Sequence, residues 1–161
     1  MLAVQKIWKD AETILLFLTF GKEFQTDFLI GKALQSGKKV AVPRIYGKVM
    51  KFHYIQSLND PMELNRWEIR EPLPSAPFWT PDDGKALMLT PGLAFTEKGE
   101  RLGRGGGFYD RYLSDYGDFL FTVALCFEEQ IRVEIPVDEH DYILDAVCSN
   151  QHFTLLSKEF D

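Results

Sequence analysis

Apolar positions in this chain fall in short dense runs, separated by polar stretches marked with glycine or proline. The first run, residues 13–20, reads Thr-Ile-Leu-Leu-Phe-Leu-Thr-Phe and is closed by Gly21. A run this short and continuous predicts a strand buried on both faces. Residues 26–36 then place Phe28, Leu29, Lys32, Ala33 and Gln35 at helical spacing, with Thr26 or Asp27 to cap the start and Gly37 to end it. Residues 39–43 are a second apolar strand, and strand–helix–strand calls for a parallel sheet with a right-handed crossover. Residues 50–55 alternate and predict a half-exposed strand. Residues 57–81 hold Pro61, Pro72, Pro74, Pro77 and Pro81 and predict a long irregular excursion, a kind of segment that often carries function. Beyond it the pattern predicts a strand over 85–90 stopping at Pro91-Gly92, a helix over 108–116 and a long buried strand over 119–127. A helical turn over 128–132 and a short strand over 146–149 complete it. The sum is an α/β domain in three layers, a mostly parallel open sheet with helices on both faces.

Length and charge narrow this picture. The 161 residues make one domain. A net charge of −6 argues against a nucleic-acid binder held by a broad basic surface, while leaving room for a small anion in a local basic pocket. Cys126 and Cys148 sit in apolar surroundings without CxxC or Cys/His spacing, so a disulfide scaffold is not expected and a reducing, cytoplasmic setting is. No stretch approaches the roughly 18 apolar residues of a membrane span, and the first ten residues lack the order of a signal peptide. His53, His140 and His152 show no metal-ligand spacing and read as structural.

The chemistry concentrates in residues 90–112, TPGLAFTEKGERLGRGGGFYDRY. Gly103, Gly105, Gly106 and Gly107 strip side chains from a loop that runs straight into the predicted helix at Phe108. A helix start offers free N–H groups and a positive dipole, which suits phosphate. Arg101, Arg104 and Arg111 flank it with fixed charge and forked donors. The loop fits neither GxGxxG nor the P-loop pattern, and on glycine alone a tight turn is the favoured reading; the three arginines and the helix start turn the balance towards phosphate. No GxSxG turn or Ser/His/Asp order points to acyl transfer.

Pro91-Gly92-Leu93-Ala94-Phe95 followed by Arg101-Leu102-Gly103-Arg104-Gly105-Gly106-Gly107-Phe108-Tyr109-Asp110-Arg111 resembles the signature of the 5-formyltetrahydrofolate cyclo-ligase family. Further pieces resemble it too: Glu23-Phe24-Gln25-Thr26, Val40-Ala41-Val42-Pro43, Trp67-Glu68-Ile69-Arg70-Glu71-Pro72, residues 124–131 and residues 136–141. The resemblance implies a Rossmann-like three-layer domain over 1–161. It also implies ATP-dependent closure of 5-formyltetrahydrofolate to 5,10-methenyltetrahydrofolate through a phosphorylated formyl group. Such a reaction asks mainly for positioning and charge neutralisation. By resemblance, Arg101, Leu102, Gly103, Arg104, Gly105, Gly106, Gly107, Phe108 and Tyr109 would hold ATP, with Arg104 and Tyr109 catalytic. Leu18, Glu23 and Trp67, together with Arg104, Gly105, Gly106, Gly107 and Phe108, would hold the folate. Asp110 and Asp141 would hold Mg²⁺, a hard ion suited to carboxylates.

The chain departs from the family in starting almost at its first strand. It is expected to lack the helical stretch with a Lys-x-x-x-Arg motif that adds to the ATP site, and Thr96 and Phe108 stand where Asp and Tyr are common. A weak or inactive relative that still binds folate or nucleotide is therefore the competing expectation, and a phosphosugar isomerase on a similar scaffold the third. A monomer acting on small molecules, with no nucleic-acid or membrane partner, is expected.

Overall fold

A computed structural model describes residues 2, 5–19, 24–139 and 141–156. Seven strands form the main sheet: β1 (Thr13–Leu15), β2 (Lys39–Tyr46), β3 (Val49–Ile55), β6 (Ala86–Thr90), β9 (Leu120–Leu125), β11 (Ala146–Cys148) and β12 (Phe153–Leu155). Their order is β12-β11-β9-β6-β1-β2-β3. The five inner strands are parallel, and β3 and β12 close the edges antiparallel to β2 and β11.

Alternation along the inner strands divides the core between two faces, since successive side chains in a strand point to opposite sides. Ile14, Val40, Val42, Leu87, Leu89 and Val123 pack on one face beneath α1 (Lys6–Asp10) and α2 (Asp27–Gln35), which contribute Trp8, Ile30 and Ala33. Leu15, Ala41, Phe52, Met88 and Ala124 pack on the other against Tyr112 and Leu113 of α3 (Phe108–Tyr116). This is the expected three-layer arrangement. The outer edge of β3 is covered by the chain at 77–79, where Tyr54 N–H donates to Pro77 O and Trp79 N–H to Phe52 O, each at 2.8 Å. An edge closed in this way offers no template for strand addition.

Several elements differ from expectation. The first strand ends at Leu15 instead of residue 20. Leu16 N–H still reaches Ala41 O at 2.9 Å, but Phe17 O is taken by the Thr26 hydroxyl at 2.7 Å, which pulls the chain out of the ladder. Thr26 therefore does not cap α2 with its side chain as expected, and Asp27 pairs with Arg70 at 3.1 Å. The excursion over 57–81 contains a small hairpin, β4 (Met62–Leu64) and β5 (Arg70–Pro72). A second small sheet joins β7 (Ala94–Thr96) to β8 (Arg101–Leu102) and β10 (Ile131–Arg132). The helical turn at 128–132 is a 3₁₀ turn over Glu128–Gln130 that runs into β10.

Cys126 and Cys148 are both free and buried at adjoining strand ends, where Cys126 N–H donates to Cys148 O at 3.1 Å. Burial pushes the Cys126 thiol up to about 12 and the Cys148 thiol up to about 11. His53 is buried between Tyr46 and Ala76: its Nδ1 donates to Ala76 O at 2.6 Å, and Nε2 accepts from the Tyr46 hydroxyl at 2.8 Å. The Ala76 carbonyl can only accept, which places a proton on Nδ1, and in the neutral ring Nε2 is then the acceptor for the Tyr46 hydroxyl. Burial is the main cause that holds its pKa below 6.5. The unfolded chain then takes up a proton that the folded one refuses, so stability falls as pH drops through about 6.5. Thermal melts from about pH 7.5 to about pH 5.5 are expected to show a steeper fall for the protein than for His53→Gln. Equal falls would remove His53 from the acid sensitivity.

A candidate ligand cleft at the carboxyl ends of the strands

In open α/β sheets the strands end where their connections diverge, and ligands bind in the crevice this leaves. Here a cleft of about 650 Å³ opens beyond β1, β2 and β6. That is within the range of pockets for drug-sized ligands, roughly 300–1,000 Å³. Phe17 and Leu18 form its floor beyond β1, and Pro43, Ile45 and Met50 the side facing the β2–β3 hairpin. Trp67 and Ile69 at the tip of the β4–β5 hairpin overhang it. The opposite wall is Pro91-Gly92 and the loop running through Arg101 to Asp110, with Pro136 and Asp141 at one end.

The loop is built around its arginines as much as its glycines. Arg101 is 8% exposed. Its Nε donates to Pro91 O at 2.6 Å, its guanidinium lies 5.1 Å from the centre of the Tyr109 ring, and Nη1 stands 3.7 Å from Asp110 Oδ1. A Cβ on Gly103 would meet this guanidinium at 3.1 Å. Gly107 sits at φ +71 as the residue before α3, and a Cβ there would stand 2.6 Å from Arg111 Nη1. Arg111 is not among the cleft-lining residues. It bonds the Lys48 carbonyl at 3.1 and 3.3 Å and lies over the Phe108 ring, so it braces the loop against the β2–β3 turn and adds no wall to the cleft. Arg104, in contrast, is exposed and lines the cleft. Arg111 N–H makes the first intrahelical bond, to Gly107 O at 3.0 Å, and the amides of the preceding turn are directed out of the helix.

The structure brings Leu18, Trp67, Arg101 to Tyr109, Asp110 and Asp141 to this one cleft. Glu23 lies outside the described residues. Sequence reasoning quoted Ile69, Arg70 and Glu71 within a motif without giving them a role, and passed over Asn65 altogether. All four line the cleft. The only signal for them was their closeness to Trp67, because their placement depends on contacts with β2 far along the chain.

One side of the cleft is thus aromatic and aliphatic, the other a glycine-rich, basic helix start. This combination suits a flat organic ring and an anionic group held together. The 5-formyltetrahydrofolate cyclo-ligase family model matches residues 2–150.

The chain belongs to the 5-formyltetrahydrofolate cyclo-ligase family.

A probable 5-formyltetrahydrofolate cyclo-ligase of Schizosaccharomyces pombe is 34% identical over 156 residues, covering 88% of this chain and 76% of that protein. The 5-formyltetrahydrofolate cyclo-ligase of Escherichia coli is 33% identical over 144 residues, covering 86% of this chain and 78% of its own. Among solved structures, the 5,10-methenyltetrahydrofolate synthetase of Aquifex aeolicus superposes with a TM-score of 0.81 at 22% identity, over 99% of this chain and 79% of that one. This last likeness establishes the cyclo-ligase fold. Membership in the cyclo-ligase family sets aside the phosphosugar isomerase alternative.

Among the described residues no group of three His, Cys, Asp or Glu is placed to hold a metal ion. Mg²⁺, however, usually takes one or two carboxylates, with phosphate oxygens and waters completing its shell. Asp110 and Asp141 are both at the cleft, and Asp141 Oδ2 is oriented by a bond from Asp138 N–H at 2.8 Å. The donor chemistry fits a metal bound together with a nucleotide and does not fit a closed protein cage. No helix among the described residues is long and apolar enough to cross a membrane.

Proposed function

We propose that this chain converts 5-formyltetrahydrofolate and ATP to 5,10-methenyltetrahydrofolate, ADP and phosphate. The observation that carries this reading is the single cleft in which the glycine loop and the start of α3 face Leu18 and Trp67. The formyl oxygen takes the γ-phosphoryl group, forming an O–P bond as the bond to ADP breaks. N10 of the folate then adds to the activated carbon and loses its proton, and phosphate departs with the former formyl oxygen.

The protein's part is to align and to neutralise charge. Gly103 to Gly107 let the phosphates approach the backbone, and the amides of Phe108 and Tyr109 point to them from the helix start. Arg104, exposed on the cleft wall, is assigned to the transferring group, and Tyr109 is assigned a catalytic part with it. Arg101 acts within the wall, fixing Tyr109 and Asp110 through the contacts described above. Asp110 and Asp141 would hold Mg²⁺, which supplies charge neutralisation on the phosphates when bound. Leu18 and Trp67 take the folate ring system, and Glu23 is assigned to the paired N–H donors of the pterin. Action as a monomer in a reducing cytoplasm belongs to the same proposal, and two buried, protonated thiols accord with the reducing setting.

Turnover of the purified chain tests the reading directly. With 5-formyltetrahydrofolate and Mg-ATP, the near-ultraviolet absorbance of the methenyl product is expected to rise, and to stay flat without ATP. Binding of both ligands with no rise would make the chain a non-catalytic relative. Absence of both turnover and binding would overturn the functional reading.

A further inference from the structure

Trp67 is placed by the part of the cleft with the least core behind it. The β4–β5 hairpin has three residues per strand, and its loop, residues 65–69, carries Trp67 at 41% exposure. The indole meets the Phe108 ring edge-on at 6.4 Å, and the Arg66 guanidinium lies 4.1 Å over it. The loop also holds Glu68 at φ +62, the left-handed region that non-glycine residues seldom adopt.

Asn65 holds that loop. Its Oδ1 accepts the Trp67 N–H at 2.9 Å and the Ile69 N–H at 3.1 Å. Its backbone closes the turn with bonds to Ile69 O at 3.0 Å and from Glu68 N–H at 2.9 Å. Its Nδ2 donates to Glu71 Oε2 at 3.2 Å. Two backbone donors on one side and a carboxylate on the other fix which end of the amide is oxygen. The same Glu71 oxygen accepts the Ile45 N–H of β2 at 2.8 Å, and Glu71 is 5% exposed. A continuous chain of hydrogen bonds therefore runs from the main sheet through Glu71 and Asn65 to the backbone of Trp67. The network is buried at its Glu71 end and opens to solvent at Trp67, so the sheet anchors one end of a connected set of bonds.

We propose that Asn65, anchored by Glu71, is the positioning residue that sets Trp67 against Phe108 over the cleft and so fixes the affinity for folate. The folate part rests on the function proposed above. The placement of Trp67 does not.

The test uses Asn65→Ala, Asn65→Asp, Trp67→Ala and the double variant Asn65→Ala with Trp67→Ala. Trp8 and Trp79 are each 3% exposed, so quenching of tryptophan fluorescence by acrylamide in the ligand-free protein reads Trp67. Asn65→Ala is expected to change that quenching and to raise KM for 5-formyltetrahydrofolate roughly fivefold to tenfold, with KM for ATP within about twofold. Asn65→Asp replaces the bond to Glu71 by a carboxylate facing a carboxylate across 3.2 Å, so it is expected to change the quenching as well, and more at about pH 8 than at about pH 5.5. In the Trp67→Ala background, Asn65→Ala is expected to add nothing, because its effect passes through the indole. Unchanged quenching in Asn65→Ala, or losses that add in the double variant, would overturn the proposal. If the protein neither turns over nor binds 5-formyltetrahydrofolate, the folate reading fails while the quenching still decides what Asn65 does.

Discussion

Arg104→Ala is expected to weaken Mg-ATP binding by roughly 10- to 100-fold and to leave the melting temperature within about a degree. A hydrogen bond to a charged group contributes about 1.5–3 kcal/mol, and each 1.4 kcal/mol is a factor of ten in affinity. Arg104 is exposed on the loop that leads into α3, so its loss removes a ligand contact without opening the core. Arg101→Ala should behave differently. That guanidinium is buried against Pro91 O, Tyr109 and Asp110, so its truncation should lower stability together with binding. Calorimetry with Mg-ATP and thermal melts on the two variants separate the roles. Wild-type affinity in Arg104→Ala would remove this residue from the phosphate site.

Gly99→Ala is expected to destabilise the fold by about 3–4 kcal/mol, a drop in melting temperature on the order of 10 °C for a domain of this size. Two costs coincide there. The backbone holds φ +86, where an L side chain is strained, and a Cβ would stand 2.6 Å from the Leu144 carbonyl oxygen. That neighbour is backbone, and it belongs to the residue whose N–H bonds Gly99 O at 2.9 Å, so the clash and the hydrogen bond oppose each other. Gly84 supplies the control. It holds φ +95 and ψ 172, a region kept almost entirely for glycine, but a Cβ there meets nothing within 4 Å, so Gly84→Ala should cost about 1–3 kcal/mol of backbone strain alone. Equal losses in the two variants would show that the approach to Leu144 contributes nothing.

The sequence was most informative where one physical cause dominated. The helix over 108–116 was legible to the residue, because a glycine run ahead of it and amphipathic spacing within it mark both its start and its face. The inner strands were legible as buried runs, but their ends were not. Residues 16–18 are as apolar and as buried as 13–15, yet the Thr26 hydroxyl takes the Phe17 carbonyl and ends the ladder. Hydrophobicity reports burial and is silent about which hydrogen-bond partner wins. The hairpins β4–β5 and β7–β8 were missed because strands of two or three residues leave no period to detect. In the cleft, the glycine loop and Trp67 were visible as residue types. The work of Asn65, Glu71 and Arg111 was not, since each acts on a backbone group distant in sequence or across a turn.

The two cysteines offer a clock for motions of the sheet. Thiol reagents attack the thiolate and need access, and Cys126 and Cys148 deny both at neutral pH while the strand ends stay together. Alkylation must wait for β9 and β11 to part. Its rate therefore counts openings at the same end of the sheet as the cleft, with no probe added to the protein. A ligand that binds only the closed form would slow this clock in proportion to its occupancy. The chain thus carries its own reporter of how tightly that end of the sheet is held.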